Sequence, residues 1–332
     1  MRRTAAVLLA AALAATPLPS YAGAPSGRAD DLAVTGYALP DLPRRTLVRD
    51  APGLATLTVV GATISADGRR LRRPAGESVR LGRQARRVGL RTELLVSNYS
   101  DRLGDFDTRA AGRLLRSPAN VRRVARQLGR AVAAGGWGGV NLDLEALRPA
   151  HGRGLVRLAA ELQRRMPAAR TVSVDVSAHT SVRAYRRAGY RLAALARTVD
   201  LVQLMAYDQH GPSWSGPGPI GALGWQQRSL AALLRQVPPR RVDLGVAGYG
   251  YTWPRRGAGR TVTVTQARAL VTRDGARARW DPRVGEWRAR LTDGTTVRWS
   301  DGRSLELRRR LARENALHGL AIWRIGSADR VS

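Results

Sequence analysis

Short apolar runs rich in valine, leucine and threonine recur along the chain at 32–38, 55–61, 92–97, 139–144, 171–177, 200–206, 242–248 and 319–324. Between them lie Arg- and Ala-rich stretches whose apolar positions follow helical spacing, at 78–88, 107–134, 152–165, 184–197, 226–236 and 303–316. Eight predicted strands alternating with helices imply a parallel sheet covered by helices, and eight is the number at which such a sheet closes on itself. The expected fold is therefore α/β, a TIM (β/α)8 barrel. A gap of about 70 residues before the last strand exceeds what one helix and two loops need. Within it, 259–264, 276–281, 286–291 and 295–299 read as short strands, with Asp293-Gly294 as a hairpin turn. This predicts a small α+β insertion at about 256–302. Few residues follow the eighth strand, so its helix is expected to be missing or replaced.

Residues 1–24 carry Arg2 and Arg3, an apolar run from Ala5 to Ala15 and the small-residue pattern Ala22-Gly23-Ala24. That is the layout of an export signal, and the run is shorter than the roughly 20 residues a spanning helix needs. With no other candidate span, residues 25–332 are expected to form one secreted or wall-associated domain, and a monomer. The 332 residues are 44% hydrophobic, enough for a sizeable core. The chain has no lysine, so all 56 basic residues are arginine, against 25 acidic ones, giving a net charge of +31. Absence of lysine excludes a phosphate-loop lysine and a Schiff-base enzyme; absence of cysteine excludes thiol catalysis, disulfides and iron–sulfur clusters. So basic a surface attracts polyanions. Its arginines are spread over every predicted helix instead of forming one tract, which fits an anionic cell wall, or mere compositional bias, better than specific nucleic-acid binding.

The sharpest chemistry lies in Gly135-Gly136-Trp137-Gly138-Gly139-Val140-Asn141-Leu142-Asp143-Leu144-Glu145. Asn141, Asp143 and Glu145 alternate with Val140, Leu142 and Leu144, and alternate residues of a strand share a face. In a barrel the apolar set packs outward on helices, so the polar set points inward at the catalytic rim. Buried carboxylates are costly unless they have work or partners, and two so close cannot both ionise freely. One is thereby raised toward the pKa a general acid needs. A structural reading, strand-end hydrogen bonding or helix capping, explains one acid but not the series.

The segment resembles the fourth-strand signature of glycoside hydrolase family 18, DxxDxDxE, in the form with Asn at its middle position that is typical of the spore-cortex-lytic, peptidoglycan-directed branch. Other segments agree in order: Leu204-Met205-Ala206-Tyr207-Asp208, Gly218-Pro219-Ile220 with Trp225, Leu244 to Tyr251 with Trp253, and Ala321 to Gly326. The resemblance implies Glu145 as general acid, Asp143 orienting the substrate's acetamido group, and Tyr207 hydrogen-bonding that group as its carbonyl attacks. Asn98, Asn141, Met205 and Asp208 would line the subsite, and Trp323 would form its aromatic floor. No cofactor or metal is implied. The expected substrate is an N-acetylglucosamine-containing polysaccharide, peptidoglycan before chitin, cleaved with retention; a silent sugar-binding protein and a polyanion-binding protein are the rivals. Gly138 stands at the first acidic position, which bears on rate and pH optimum. Among weaker signals, Gly216 to Gly221 matches GxGxxG but holds two prolines, and the four histidines lack metal-ligand spacing, with His210 alone close to the site.

Overall fold

The computed structural model describes residues 32–331, so the predicted export signal at 1–24 lies outside them. Eight strands match the predicted runs to within a few residues: β1 Ala33–Ala38, β2 Thr56–Ile64, β3 Arg91–Ser97, β4 Gly139–Asp143, β5 Thr171–Ser177, β6 Leu201–Met205, β7 Val242–Ala247 and β8 Gly319–Trp323. Each pairs in parallel with its sequence neighbours. β8 returns to β1, with Ala33 opposite Gly319, and the barrel is closed. A two-residue antiparallel strand, Leu71–Arg72, adds to β2.

Alternation decides what faces where. Val140, Leu142 and Leu144 of the β4 segment and Val172, Val174 and Val176 of β5 are fully buried in the layer between barrel and helices. The inward positions are largely polar, among them Thr58, Glu93, Ser97, Asn141, Asp143, Ser173, Asp175, Gln203 and Asp243, all buried. An interior this polar is stable only if it is hydrogen-bonded, and most of it is.

Two predicted helices are each broken in two. The 107–134 stretch forms Thr108–Leu115 and Pro118–Gly135. Pro118 disfavours a helical Ser117, whose hydroxyl instead caps the second helix by accepting the Asn120 N–H at 3.2 Å. The 184–197 stretch forms Val182–Arg187 and Leu192–Ala196, separated by Gly189 at φ +88°.

Between β7 and β8 the chain builds a five-stranded antiparallel sheet in the spatial order Arg260–Val262, Gly250–Trp253, Thr296–Trp299, Glu286–Arg290 and Arg279–Asp281. Ala289, Val297 and Trp299 on one face pack on a helix, Val264–Asp274, through Val264, Ala267 and Val271. The strand at 250–253 is an addition to the sequence expectation, and this helix is the α part of the expected α+β insertion, whose position the sequence reading did not give. The helix is marked by a capping box, in which Thr263 Oγ1 accepts the Gln266 N–H and Gln266 Oε1 accepts the Thr263 N–H. On the sheet's other face buried Glu286 accepts the N–H groups of Ile220 and Gly221 at 3.0 and 2.7 Å, tying the sheet to the loop that follows β6. After β8 the described residues run on as turns, without a helix.

Candidate active site

β4 ends at Asp143, buried, and Glu145 lies two residues further on, half-buried at the barrel mouth. The backbone there is held from β3. The Asn98 side chain accepts the Glu145 N–H at 2.8 Å and donates to the Glu145 carbonyl at 3.1 Å, so one amide grips both sides of the peptide. Ala146 follows at φ +51°, and its carbonyl accepts from the Thr108 hydroxyl at 3.0 Å. Non-glycine residues rarely adopt that conformation, so these contacts fix the direction in which Glu145 leaves the strand.

Burial pushes the Asp143 carboxyl well up, as do the charge of Glu145 and a hydrogen bond to it, against the opposing pull of the Ser97 hydroxyl. Burial also pushes Glu145 up, to about 8, helped by the negative charges of Asp175 and Asp208 and opposed by its hydrogen bond to Asp143. The pair is therefore a proton store at neutral pH, with Glu145 on its solvent side. No described ion pair reaches Asp143, Glu145, Asp175 or Asp208.

The remaining predicted residues gather around this pair in two groups. Tyr207 and Trp323 are half-buried against an aromatic cluster of Tyr249, Tyr251 and Trp253. Tyr207 meets Tyr249 edge-on at 6.5 Å, and Trp323 meets Tyr37 edge-on at 5.7 Å. Burial and the carboxylates Asp175, Asp208 and Glu145 hold the Tyr207 hydroxyl well above its ordinary range, so it stays a donor. Met205 ends β6 opposite Ser177. Asp208, at φ +57°, accepts hydroxyl hydrogen bonds from Tyr249 and, at 2.7 Å, from Tyr251. Asn98 and Asn141 form the second group, behind the surface: both are buried, Asn98 gripping Glu145 and Asn141 bonding within the barrel. His210 is bound to its own loop, Nδ1 at 3.0 Å from the Pro219 carbonyl.

Asn141 leads to the residues that the sequence reading missed. Its Nδ2 donates to Asp175 Oδ1 at 2.8 Å, and the Tyr37 hydroxyl donates to the same oxygen at 2.7 Å. Burial and the neighbouring Asp143 push Asp175 well up against those two hydrogen bonds. β5 thus supplies a carboxyl beside the one position of the β4 series that is an amide. Its signal was the same alternation, Ser173, Asp175 and Ser177 against Val172, Val174 and Val176, in a run read only as apolar. Lower in the barrel Glu93 of β3, opposite Gly139, accepts from Thr58, Thr171 and Ser173 at 3.1, 2.7 and 2.9 Å. A buried carboxylate is therefore present on the neighbouring strand opposite Gly139, the residue after Gly138. Among the described residues no group of His, Cys, Asp or Glu has the arrangement to hold a metal ion.

A carboxyl pair raised by burial at the mouth of a (β/α)8 barrel, ringed by aromatic side chains and free of basic partners, is the equipment of a glycoside hydrolase. The family model for glycosyl hydrolases family 18 matches residues 97–328, and the chain belongs to that family. It is 23% identical over 253 residues to the uncharacterized glycosylase YvbX of Bacillus subtilis, covering 73% of each chain. It is 26% identical over 249 residues to the cortical fragment-lytic enzyme of B. subtilis, covering 71% of this chain and 56% of that one. The chitinase of Chromobacterium violaceum superposes with a TM-score of 0.79 at 25% identity, covering 90% of this chain and 96% of that one.

Proposed function

We propose that the protein is a retaining N-acetylglucosaminidase that cleaves the β-1,4 bonds of peptidoglycan, with the substrate's own acetamido group as nucleophile. The observation that carries this reading is the hydrogen-bonded contact between Asp143 and Glu145. A retaining enzyme that attacks with a carboxylate keeps its two carboxyls about 5 Å apart, with the sugar carbon between them. Carboxyls in contact leave no such room, so the nucleophile comes from the sugar. Glu145 gives its proton to the departing glycosidic oxygen as the acetamido oxygen closes on the anomeric carbon, forming an oxazolinium ion. Asp143 accepts the acetamido N–H and spreads the positive charge, and the Tyr207 hydroxyl donates to the acetamido oxygen and aims it. Water then opens the ring from the same face, with the Glu145 carboxylate taking its proton. Trp323 offers a flat face to the C–H side of the sugar.

Peptidoglycan is favoured by Asn141 at the middle of the signature and by similarity to an enzyme named as cortical fragment-lytic. Chitin is the second reading, favoured by 25% identity to a chitinase along nearly its whole length. The export pattern at 1–24 and the arginine-rich surface suit action outside the cytoplasm on an anionic wall. Proton NMR of a digest at early times tests the chemistry. The β-anomer of the new reducing end is expected first; the α-anomer first would rule out substrate-assisted retention.

A further inference from the structure

The face of the inserted sheet that meets the loop after β6 carries a row of like charges. Register places Arg279 opposite Arg288, Arg288 opposite Arg298, and Arg298 opposite Tyr251, so these four side chains share one face across four strands. Arg290 stands on that face two residues from Arg288. With Arg277 and with Pro217 of the loop, the arginines line a cavity of about 470 Å³ that has no acidic residue in its wall.

Like charges directly opposite one another weaken a sheet. Asp281 and Glu286 share this face and act on Arg298, but Glu286 is taken up by the Ile220 and Gly221 N–H groups, and none of the five arginines takes part in a described ion pair. Arg298 Nη1 is buried without a hydrogen-bond partner. A row that costs stability and keeps its donors free is arranged for an anion from outside. Its position says which one. Tyr251, at the end of the row, donates to Asp208 beside the catalytic pair, so a glycan seated there presents its substituents to the arginines.

We infer that the row formed by Arg279, Arg288 and Arg298, flanked by Arg277 and Arg290, binds the carboxylates of the peptide stems on the glycan being cleaved. The inference rests on the peptidoglycan reading above. Planar guanidinium groups take carboxylates in two-point hydrogen bonds, and chitin, which has no carboxylate, gains nothing from them. The row would thus set substrate preference without touching the bond that breaks.

The test measures kcat and KM for the wild type and two double variants, R288Q/R290Q and R277Q/R279Q, on three substrates. These are stem-bearing peptidoglycan, strands stripped of peptides by an amidase, and chitotetraose, which also reports that the variants are folded. Each double variant is expected to lose about tenfold in kcat/KM on stem-bearing glycan, through KM, and to change less than about twofold on chitotetraose. Added salt of about 0.5 M should erase most of the wild-type advantage. Equal losses on all three substrates, or no loss on stem-bearing glycan, would overturn the inference. A wild type that cleaves chitotetraose but not peptidoglycan removes the substrate reading and this site with it. A wild type that cleaves peptidoglycan no better than the variants removes this site alone.

Discussion

The barrel mouth and the inserted sheet sort charge in opposite ways. Asp143, Glu145, Asp175 and Asp208 gather at the mouth with neutral partners only, the hydroxyls of Tyr37, Ser97, Tyr249 and Tyr251 and the amide of Asn141. The cavity on the sheet face a strand away gathers five arginines with no acid in its wall. In a chain with 56 arginines and 25 acidic residues, such separation needs a reason. A guanidinium beside Asp143 or Glu145 would hold them ionised and leave no proton to donate. Keeping arginine out of the mouth is therefore as much a requirement of the proposed chemistry as the carboxylates are. The excess charge can be carried wherever it does not lower their pKa.

The comparison breaks most completely at Glu145. Glu145→Gln keeps the shape and removes the transferable proton, and kcat/KM should fall by about 10²–10⁴-fold on any accepted substrate. A smaller loss would mean that another group donates the proton. In the wild type, activity needs Glu145 protonated, so it should decline as pH rises through about 8.

Asp175→Asn probes the acid cluster one step back. It removes a negative neighbour that raises Glu145, so the alkaline limb of the pH profile should move to lower pH, with a loss of about tenfold near neutrality. A residue needed only for folding would lower the rate and leave that limb where it is. Asn98→Ala strips the Glu145 peptide of both its partners, at a cost of about 1–3 kcal/mol in denaturant unfolding. An unchanged midpoint would show that Asn98 does not hold this turn.

The smallest effect is on stability. A carboxyl whose folded pKa lies above its unfolded value binds its proton more tightly when folded. For Glu145 the folded state is thus favoured at low pH, and it loses relative stability as pH climbs from the unfolded value through about 8. A glutamine does not carry this cost, so Glu145→Gln should raise Tm by about 1–3 °C at pH 8 and by less at pH 5. Equal gains at both pH values would trace the effect to packing instead of ionisation.

Legibility followed periodicity. The eight barrel strands and the β4 series were readable because outward and inward positions differ sharply in polarity along them. Asp175 and Glu93 escaped because each is a single acid inside a run whose average is apolar, and only pairing across strands shows Asn141 reaching Asp175. The two split helices hid behind continuous Arg/Ala patterning, although Pro118 and Gly189 marked both breaks. The helix at 264–274 was signalled by Thr263 and Gln266 but fell between two predicted strands, in residues to which no element was assigned. The arginine row could not be read at all: it exists only through the register of three strands.

The central claim is that Glu145 donates the proton that cleaves a bond next to N-acetylglucosamine in peptidoglycan. The direct measurement is mass spectrometry of purified peptidoglycan digested with the protein, reduced with borohydride and compared with a digest by Glu145→Gln. New reduced N-acetylglucosamine ends, absent from the variant digest, are the predicted result. No new ends from the wild type, or equal ends from both proteins, would contradict it.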